Sequence, residues 1–220
     1  MIYSVGLIGL TILFFTLLMT VSPILYRRRI QVKYSLKNMF PFEFTYKSLP
    51  NENLYTFIFL ALFVLSSVGF FATFDLTYSN GYLIFSMISG IICSVMIFML
   101  FIVPFTNLRL HLITAVIFFV LNFANSGSIL IASLKSNQEY SEPIKIICIV
   151  IAIIIVAIEF CSILNPRLNL KFRAIEKTNE NGEVVYERPK WVVFAFTEWL
   201  NIFLFIINMI NITILTFSQI

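Results

Sequence analysis

The sequence has few charged residues, and this scarcity sets its class. Asp, Glu, Lys and Arg make up 12% of the 220 residues and hydrophobic residues make up 60%, whereas a soluble domain has roughly 25% charged and 45–50% apolar residues. Glycine and proline are also scarce, with seven of each, which excludes a fibrous repeat. The composition indicates a membrane protein. The length is that of a single domain, so we expect one transmembrane domain that comprises residues 1–220.

The residues that several kinds of chemistry require are missing too. There is one histidine, which excludes a multi-histidine metal site. Cys93, Cys148 and Cys161 lie in apolar runs without a CxxC pair, a pattern that supports neither a disulfide framework nor a zinc site. The sequence contains no HExxH, GxSxG or Walker motif. We therefore expect no catalytic residue, no cofactor and no bound metal, and we expect that the protein is not an enzyme.

Six apolar segments are long enough to cross a bilayer as helices. A hydrocarbon core about 30 Å thick requires roughly 20 residues of apolar helix. The predicted spans are 3–26, 54–74, 82–105, 110–134, 144–164 and 191–217. The first has no basic leading region and no small-residue cleavage site, so we expect it to be retained and not removed as a signal peptide. The expected fold class is an all-α membrane protein, a six-helix transmembrane bundle.

Basic residues are concentrated in alternate loops. Residues 27–53, 106–109 and 165–190 contain 13 of the 15 Lys and Arg residues. By the positive-inside rule these loops are cytoplasmic, which predicts a multi-pass protein of the cell membrane with its N-terminus and C-terminus outside. The formal charge of +4 is then explained by anionic lipid and not by nucleic acid. The cluster Arg27, Arg28 and Arg29 is expected to contact anionic headgroups, at about 1 kcal/mol for each residue.

The two long cytoplasmic loops, 27–53 and 165–190, contain alternating patterns. Within 30–37, 40–47 and 168–174 apolar residues occupy every second position, which is the period of a half-buried strand. Asn181-Gly182 then favours a tight hairpin turn before 183–186. We therefore expect a small β-hairpin, or a sheet joining both loops, beneath the bundle. The inner face of that sheet is predicted to hold Ile30, Val32, Tyr34, Phe42, Phe44, Leu170, Phe172 and Tyr186.

Segment 30–47 also has an alternative interpretation. Pro41 cannot donate to a strand ladder, so this segment can instead form an irregular apolar and basic stretch in the membrane interface. In both interpretations the segment lies at the cytoplasmic side of the bilayer.

Two acidic residues, Glu159 and Glu198, fall inside predicted spans. A charged side chain at the centre of a bilayer costs about 2.5–3.5 kcal/mol. The presence of each of these two residues in a span therefore indicates a structural or functional role. Counted from the span ends, both lie at about 8–11 Å from the cytoplasmic side and are expected to share one layer. The fourth, fifth and sixth helices each have one polar face, which must turn inward. The candidate intramembrane polar site is Glu159, Glu198, Asn201, Asn208, Asn122, Asn125 and His111.

The same residues also have a structural interpretation. Asn, Ser and Thr often bond between membrane helices as packing contacts, and His111 is close enough to the span end to be an interface residue. The leading hypothesis is a non-catalytic interaction protein, scaffold or regulatory subunit that binds another membrane protein or a second copy of itself. The alternative is a small transporter or channel-like protein in which Glu159 and Glu198 bind a proton or cation. A water path to both carboxylates favours transport, and a dry bonded pair favours structure.

The charge asymmetry predicts the topology of single positions. In a background without cysteines, Gln138→Cys should react with a membrane-impermeant maleimide on intact cells. Glu180→Cys should react only after the membrane is permeabilised, because the loop that contains it is predicted to be cytoplasmic. The reverse labelling pattern would contradict the expected placement of both termini outside.

Overall fold

Six long helices form the protein in a computed structural model that describes residues 2–45, 53–73, 81–135, 142–168, 175–178, 184–187 and 189–217. They are α1 (Ile2–Ile30), α2 (Leu54–Ala72), α3 (Gly81–Ile102), α4 (Leu108–Lys135), α5 (Glu142–Ile163) and α6 (Val193–Phe217). Each contains a segment long and apolar enough to cross a membrane. The predicted all-α bundle of six spanning helices is therefore confirmed.

Helix α6 is the innermost helix. Over its apolar segment α6 is 67% buried, whereas α1 and α5 are each 28% buried. Helices α1 to α5 pack against one another in chain order, and α6 contacts α1, α4 and α5. Aromatic rings on α2 and α3 also reach α6, through Phe71 against Phe205 and Phe101 against Trp199. Helices α1 to α5 thus lie around α6 in sequence order and leave one strip of α6 exposed beside α5.

The first helix is longer than predicted. It continues to Ile30, so Arg27, Arg28 and Arg29 form its last turn and do not lie in a loop. Positive side chains there are favourable because the C-terminal end of a helix dipole is negative. Gln31 ends the helix with φ of 58°, and its N–H donates to the Arg27 carbonyl at 2.9 Å. This left-handed residue satisfies a terminal carbonyl and turns the chain back beneath the bundle.

Segment 31–45, here called the cap, covers the basic end of the bundle, the end at which α1, α3 and α5 finish and α2, α4 and α6 begin. Its apolar side chains Tyr34, Met39, Phe40, Phe42 and Phe44 are buried. Trp199 Nε1 donates to the Met39 carbonyl at 2.9 Å, and the Val192 N–H donates to the Lys37 carbonyl at 2.8 Å. The cap is therefore attached to the start of α6 and is part of the core.

The predicted strands in 30–37 and 40–47 are wrong for the described residues of these segments. Beyond the end of α1, residues 31–45 form turns and the 3-10 helix Pro41–Phe44. Pro41 suits the first position of a helix, and Glu43 Oε1 accepts the Phe40 N–H at 2.8 Å. The alternating aromatic residues are buried against the helices and not against a partner strand. Ile30 and Val32, assigned to the same predicted face, remain 40% and 49% exposed.

The other long loop does contain a two-stranded antiparallel sheet. Strand β1 (Ile175–Thr178) pairs with β2 (Val184–Glu187), with Ile175 opposite Glu187. The second strand overlaps the prediction, but the first lies after the predicted 168–174. Leu168 belongs to a turn in which its N–H donates to the Asn165 carbonyl. Residues 169–174 and the predicted Asn181-Gly182 turn lie outside the described residues. Within the described parts of the two loops no sheet joins them, because 31–45 contains no strand.

Candidate functional site

The seven polar residues singled out from the sequence all lie inside the bundle. Each of their side chains is fully buried between α3, α4, α5 and α6. They do not form one group: the structure divides them into a charged pair at the basic end, a cluster around Glu159, and separate amide contacts further along. The residues are Glu159, Glu198, Asn201, Asn208, Asn122, Asn125 and His111.

The charged pair consists of His111 on α4 and Glu198 on α6. His111 Nε2 lies 2.8 Å from Glu198 Oε1, and His111 Nδ1 lies 2.9 Å from the Val103 carbonyl. A carbonyl oxygen can only accept, so Nδ1 carries a hydrogen. One further proton is then shared between Nε2 and Oε1. Whichever atom holds it, the pair as a whole has no net charge, which is the condition for burial in an apolar bundle.

The cap closes this pair off from the basic end. The rings of Phe40 and Phe42 meet the His111 ring edge-on, with centroids 5.9 and 5.4 Å away. His111 is therefore not the interface residue that its position near the span end suggested. With water excluded, the attraction between the two partners is stronger, and the loss of either partner is more costly.

The second cluster joins α4, α5 and α6 around Glu159. Asn122 Nδ2 donates to Glu159 Oε1 at 2.7 Å and to the Asn201 carbonyl at 3.2 Å. Ser162 Oγ donates to the Glu159 carbonyl at 2.8 Å and accepts from Asn201 Nδ2 at 3.4 Å. Three buried oxygens here, Glu159 Oε2, Asn122 Oδ1 and Asn201 Oδ1, have no hydrogen-bond partner among the described residues. All three are acceptors in this arrangement, so the cluster suits a bound proton, a water molecule or a small cation.

Further from the basic end, buried asparagine side chains form contacts between helices. Asn208 Nδ2 donates to Ser126 Oγ, and Asn211 Nδ2 donates to the Cys148 carbonyl at 3.1 Å. Asn125 Oδ1 accepts from hydroxyl groups on α3, those of Ser86 and Ser89. These contacts join α3 with α4, α4 with α6 and α5 with α6, and they are interhelical bonds of the kind common in membrane proteins.

The expected partnership between Glu159 and Glu198 is not what the structure has. Glu198 bonds to His111 and Glu159 bonds to Asn122. A partial signal for the His111 partner was present in the sequence: α4 and α6 both begin at the basic end, and both residues lie within two turns of the helix start. This signal gives a similar depth for the two side chains but does not say that the helices are adjacent. Of the serines absent from the prediction, Ser126 follows Asn122 by one helical turn, a spacing that places both on one face.

The arginine cluster is not uniform. Arg27 and Arg28 are exposed, whereas Arg29 is half-buried and donates from Nη2 to the Glu43 carbonyl of the cap at 3.3 Å. Contact with anionic headgroups stays a prediction for these residues, and Arg29 has a role within the fold as well.

Removing either partner of the buried pair should cost more than removing both. Glu198→Leu leaves His111 without its acid, and His111→Phe leaves a buried carboxyl group, so each should lose about 3–5 kcal/mol of unfolding free energy. The double variant should lose less than the sum. Unfolding of the four proteins in mixed micelles measures the coupling, with Thr16→Val as a control because Thr16 is exposed and bonds within its own helix. Strictly additive losses would contradict the pair.

The chain matches no family model, no curated protein and no solved structure. The function is therefore inferred from the chain's own residues. They give six apolar helices, as in a multi-pass membrane protein, and an interior with a neutral His111–Glu198 pair and an oxygen-rich cluster at Glu159.

Proposed function

We propose that the protein is a non-catalytic, multi-pass protein of the cell membrane that acts by binding a partner at its basic end. The observation that carries this proposal is the state of the two span carboxyl groups. Each is fully buried and bonded to a side chain of another helix. Such an arrangement stabilises one packing of the bundle, which suits a protein whose activity lies in its surface.

The basic end supplies a surface for a partner. Beside the buried part of the cap, Ile30 and Val32 are 40% and 49% exposed, and the basic residues Arg28 and Lys33 next to them are exposed as well. An exposed apolar group rimmed by polar residues is typical of an interaction site. With the orientation expected from the loop charges, this surface faces the cytoplasm and both termini are outside. The proposed partner is another membrane protein or a second copy of the chain, and not nucleic acid.

Photo-crosslinking in native membranes tests this proposal. A benzophenone amino acid at Val32 should give a discrete protein adduct, because this exposed position lies at the proposed surface. The matched control is Tyr3, which is 81% exposed near the opposite end of α1 and should give none. An adduct of twice the chain mass identifies a second copy, and another mass identifies a different protein. The absence of any protein adduct at Val32, or equal adducts at both positions, would contradict the proposal.

Cation or proton binding at Glu159 is a second candidate function, favoured by the three acceptor oxygens that have no partner among the described residues. An unmet acceptor in apolar surroundings costs about 1–3 kcal/mol, so a proton or small cation placed among them is stabilising. Ser162 connects the cluster with the protein surface, since it bonds to the Glu159 carbonyl and also lines an open groove between α5 and α6. In this alternative the protein is a small transporter or channel-like protein.

Flux measurements separate the second candidate from the first. Protein reconstituted in liposomes should carry protons or sodium ions down an imposed gradient, read by a pH-sensitive or sodium-sensitive dye. Glu159→Gln removes the charge and keeps the shape, so it should abolish the flux. Glu142→Gln removes a carboxyl group at the other end of the same helix and should leave the flux unchanged. No flux from the wild-type protein, or equal flux from Glu159→Gln, would exclude transport through this cluster.

A further inference from the structure

An open groove of about 550 Å³ lies between the end of α5 and the start of α6. Its size is within the range of about 300–1,000 Å³ that is common for ligand-binding clefts. Its lining includes Ala157 and Ser162 on α5, Val193 and Leu200 on α6, and Arg167 and Trp191 at its mouth. The groove is independent of the His111–Glu198 pair and of the exposed surface at Val32.

The lining of the groove is apolar within the membrane spans and becomes polar and basic where the spans end. The part formed by α5 and α6 is mainly apolar and lies inside two membrane-spanning segments, Pro143–Ile163 and Val193–Leu215. Arg167 and Trp191 lie just outside both segments and are exposed. A ligand with an apolar tail and an anionic head fits this arrangement. Its tail would lie at the depth of the hydrocarbon, and its head would lie at the level of Arg167.

The apolar track continues beyond the groove along α6. Val193 and Leu200 line the groove, and Ile207 and Ile214, at the same seven-residue spacing, are exposed at 41% and 38%. Residues seven apart lie on nearly the same side of a helix. From Val193 at the basic end to Ile207 the stripe advances by about 21 Å, at 1.5 Å per residue. One leaflet contributes about half of a hydrocarbon core that is roughly 30 Å thick, so this length is sufficient for one acyl chain from the leaflet at the basic end.

The mouth of the groove has the composition of a headgroup site. Trp191 packs on Phe196 with ring centroids 5.1 Å apart, and Lys37 Nζ lies 5.7 Å from the Trp191 ring centroid. An indole ring with an apolar side and a polar N–H favours the membrane interface. Asn165 Oδ1 accepts the Arg167 N–H at 3.0 Å, which fixes the turn that carries Arg167. Two positive charges, on Arg167 and Lys37, are therefore held near one exposed tryptophan.

We propose that the α5–α6 groove is a binding site for an anionic phospholipid, with one acyl chain along the apolar lining and its phosphate at Arg167. The lipid comes from the leaflet at the basic end. It differs from general headgroup attraction at the arginines of α1 because the tail occupies a shaped groove. The two parts of the site can be altered separately, since Arg167 recognises the head and Ala157 borders the tail.

Native mass spectrometry of the purified protein with added lipid tests both parts. The wild-type protein should bind phosphatidylglycerol more tightly than phosphatidylcholine. Arg167→Gln should weaken phosphatidylglycerol binding about fivefold, the equivalent of about 1 kcal/mol for one basic residue at an anionic head, and leave phosphatidylcholine unaffected. The matched control is Arg109→Gln, which removes an exposed charge at the same end, on α4, and should change neither affinity. Ala157→Trp should fill the groove and remove binding of both lipids.

Two controls show whether the groove itself is responsible. Phe160→Trp adds a ring of the same size to α5 at a position that is 52% exposed and outside the groove, so lipid binding should be retained. Phosphatidylglycerol brominated on its acyl chains should quench the fluorescence of Trp191, the exposed one of two tryptophans, since Trp199 is 1% exposed. Arg167→Gln should reduce this quenching at limiting lipid, a readout that does not depend on a variant in the bundle.

Several results would overturn the lipid site. Equal losses from Arg167→Gln and Arg109→Gln would mean that only general surface charge attracts the lipid. Retained lipid binding by Ala157→Trp would mean that the groove is not occupied by a tail. If Ala157→Trp instead changes the oligomeric mass while phosphatidylglycerol binding stays the same, the groove holds a helix of another protein or copy, and the proposal is wrong.

Discussion

A polar group in the core of a bilayer has no water to bond with, and α6 has four such groups along one side. They are Glu198, Asn201, Asn208 and Asn211, all buried. The burial of this side of α6 follows from this constraint, because each of these groups needs a partner on a neighbouring helix at its own depth. Helix α4 supplies His111 for Glu198 and Ser126 for Asn208, and α5 supplies Ser162 for Asn201 and the Cys148 carbonyl for Asn211. The other face of α6 is aromatic and apolar and is free to pack against α1, α2 and α3.

The cap and the charged pair depend on each other. Without the cap, the His111–Glu198 contact would be open to the solvent at the basic end, where an ion pair contributes little. Without a neutral pair beneath it, the cap's aromatic rings would be packed against an uncompensated buried charge. Trp199 links the two features, since its ring packs with Tyr34 and Phe44 while its N–H donates to the Met39 carbonyl. One turn of α6 therefore positions both the polar and the aromatic contacts of this end.

The sequence predicted the spans well because spanning a bilayer is a local requirement on length and hydropathy. It did not predict the partner of Glu198, because depth counted along separate helices does not say which helices are adjacent. His111 and Glu198 are 87 positions apart, and only the arrangement of α4 next to α6 brings them into contact. The carboxylate pairing expected from similar depths failed for the same reason. Inward-facing polar stripes were predictable, since periodicity within one helix is again a local property.

Segment 31–45 shows why alternating apolar residues led to a wrong prediction of β-strands. Alternation indicates only that every second side chain is buried. It does not say whether those side chains pack against a neighbouring strand or against helices. Here Tyr34, Phe40, Phe42 and Phe44 reach the ends of the helices from a chain of turns, and the Phe40–Glu43 backbone contact gives a 3-10 helix at Pro41. The alternative interpretation, an irregular segment, was correct about the backbone. It placed the segment in the interface, whereas the aromatic side chains are part of the protein's own core.

Helix α5 is where the interior of the bundle comes closest to the groove. Ser162 bonds to the Glu159 carbonyl and to Asn201, and Thr197 accepts the other Asn201 contact at its carbonyl, at 2.9 Å. Both Ser162 and Thr197 also line the groove. The hydrogen bonds that hold the Glu159 cluster and the surface that faces the groove thus share two residues. Of these bonds only the one from Asn201 to Ser162 crosses from α6 to α5. The position of α5 relative to α6 therefore depends on this bond together with the Asn211 contact to the Cys148 carbonyl nearer the start of α5.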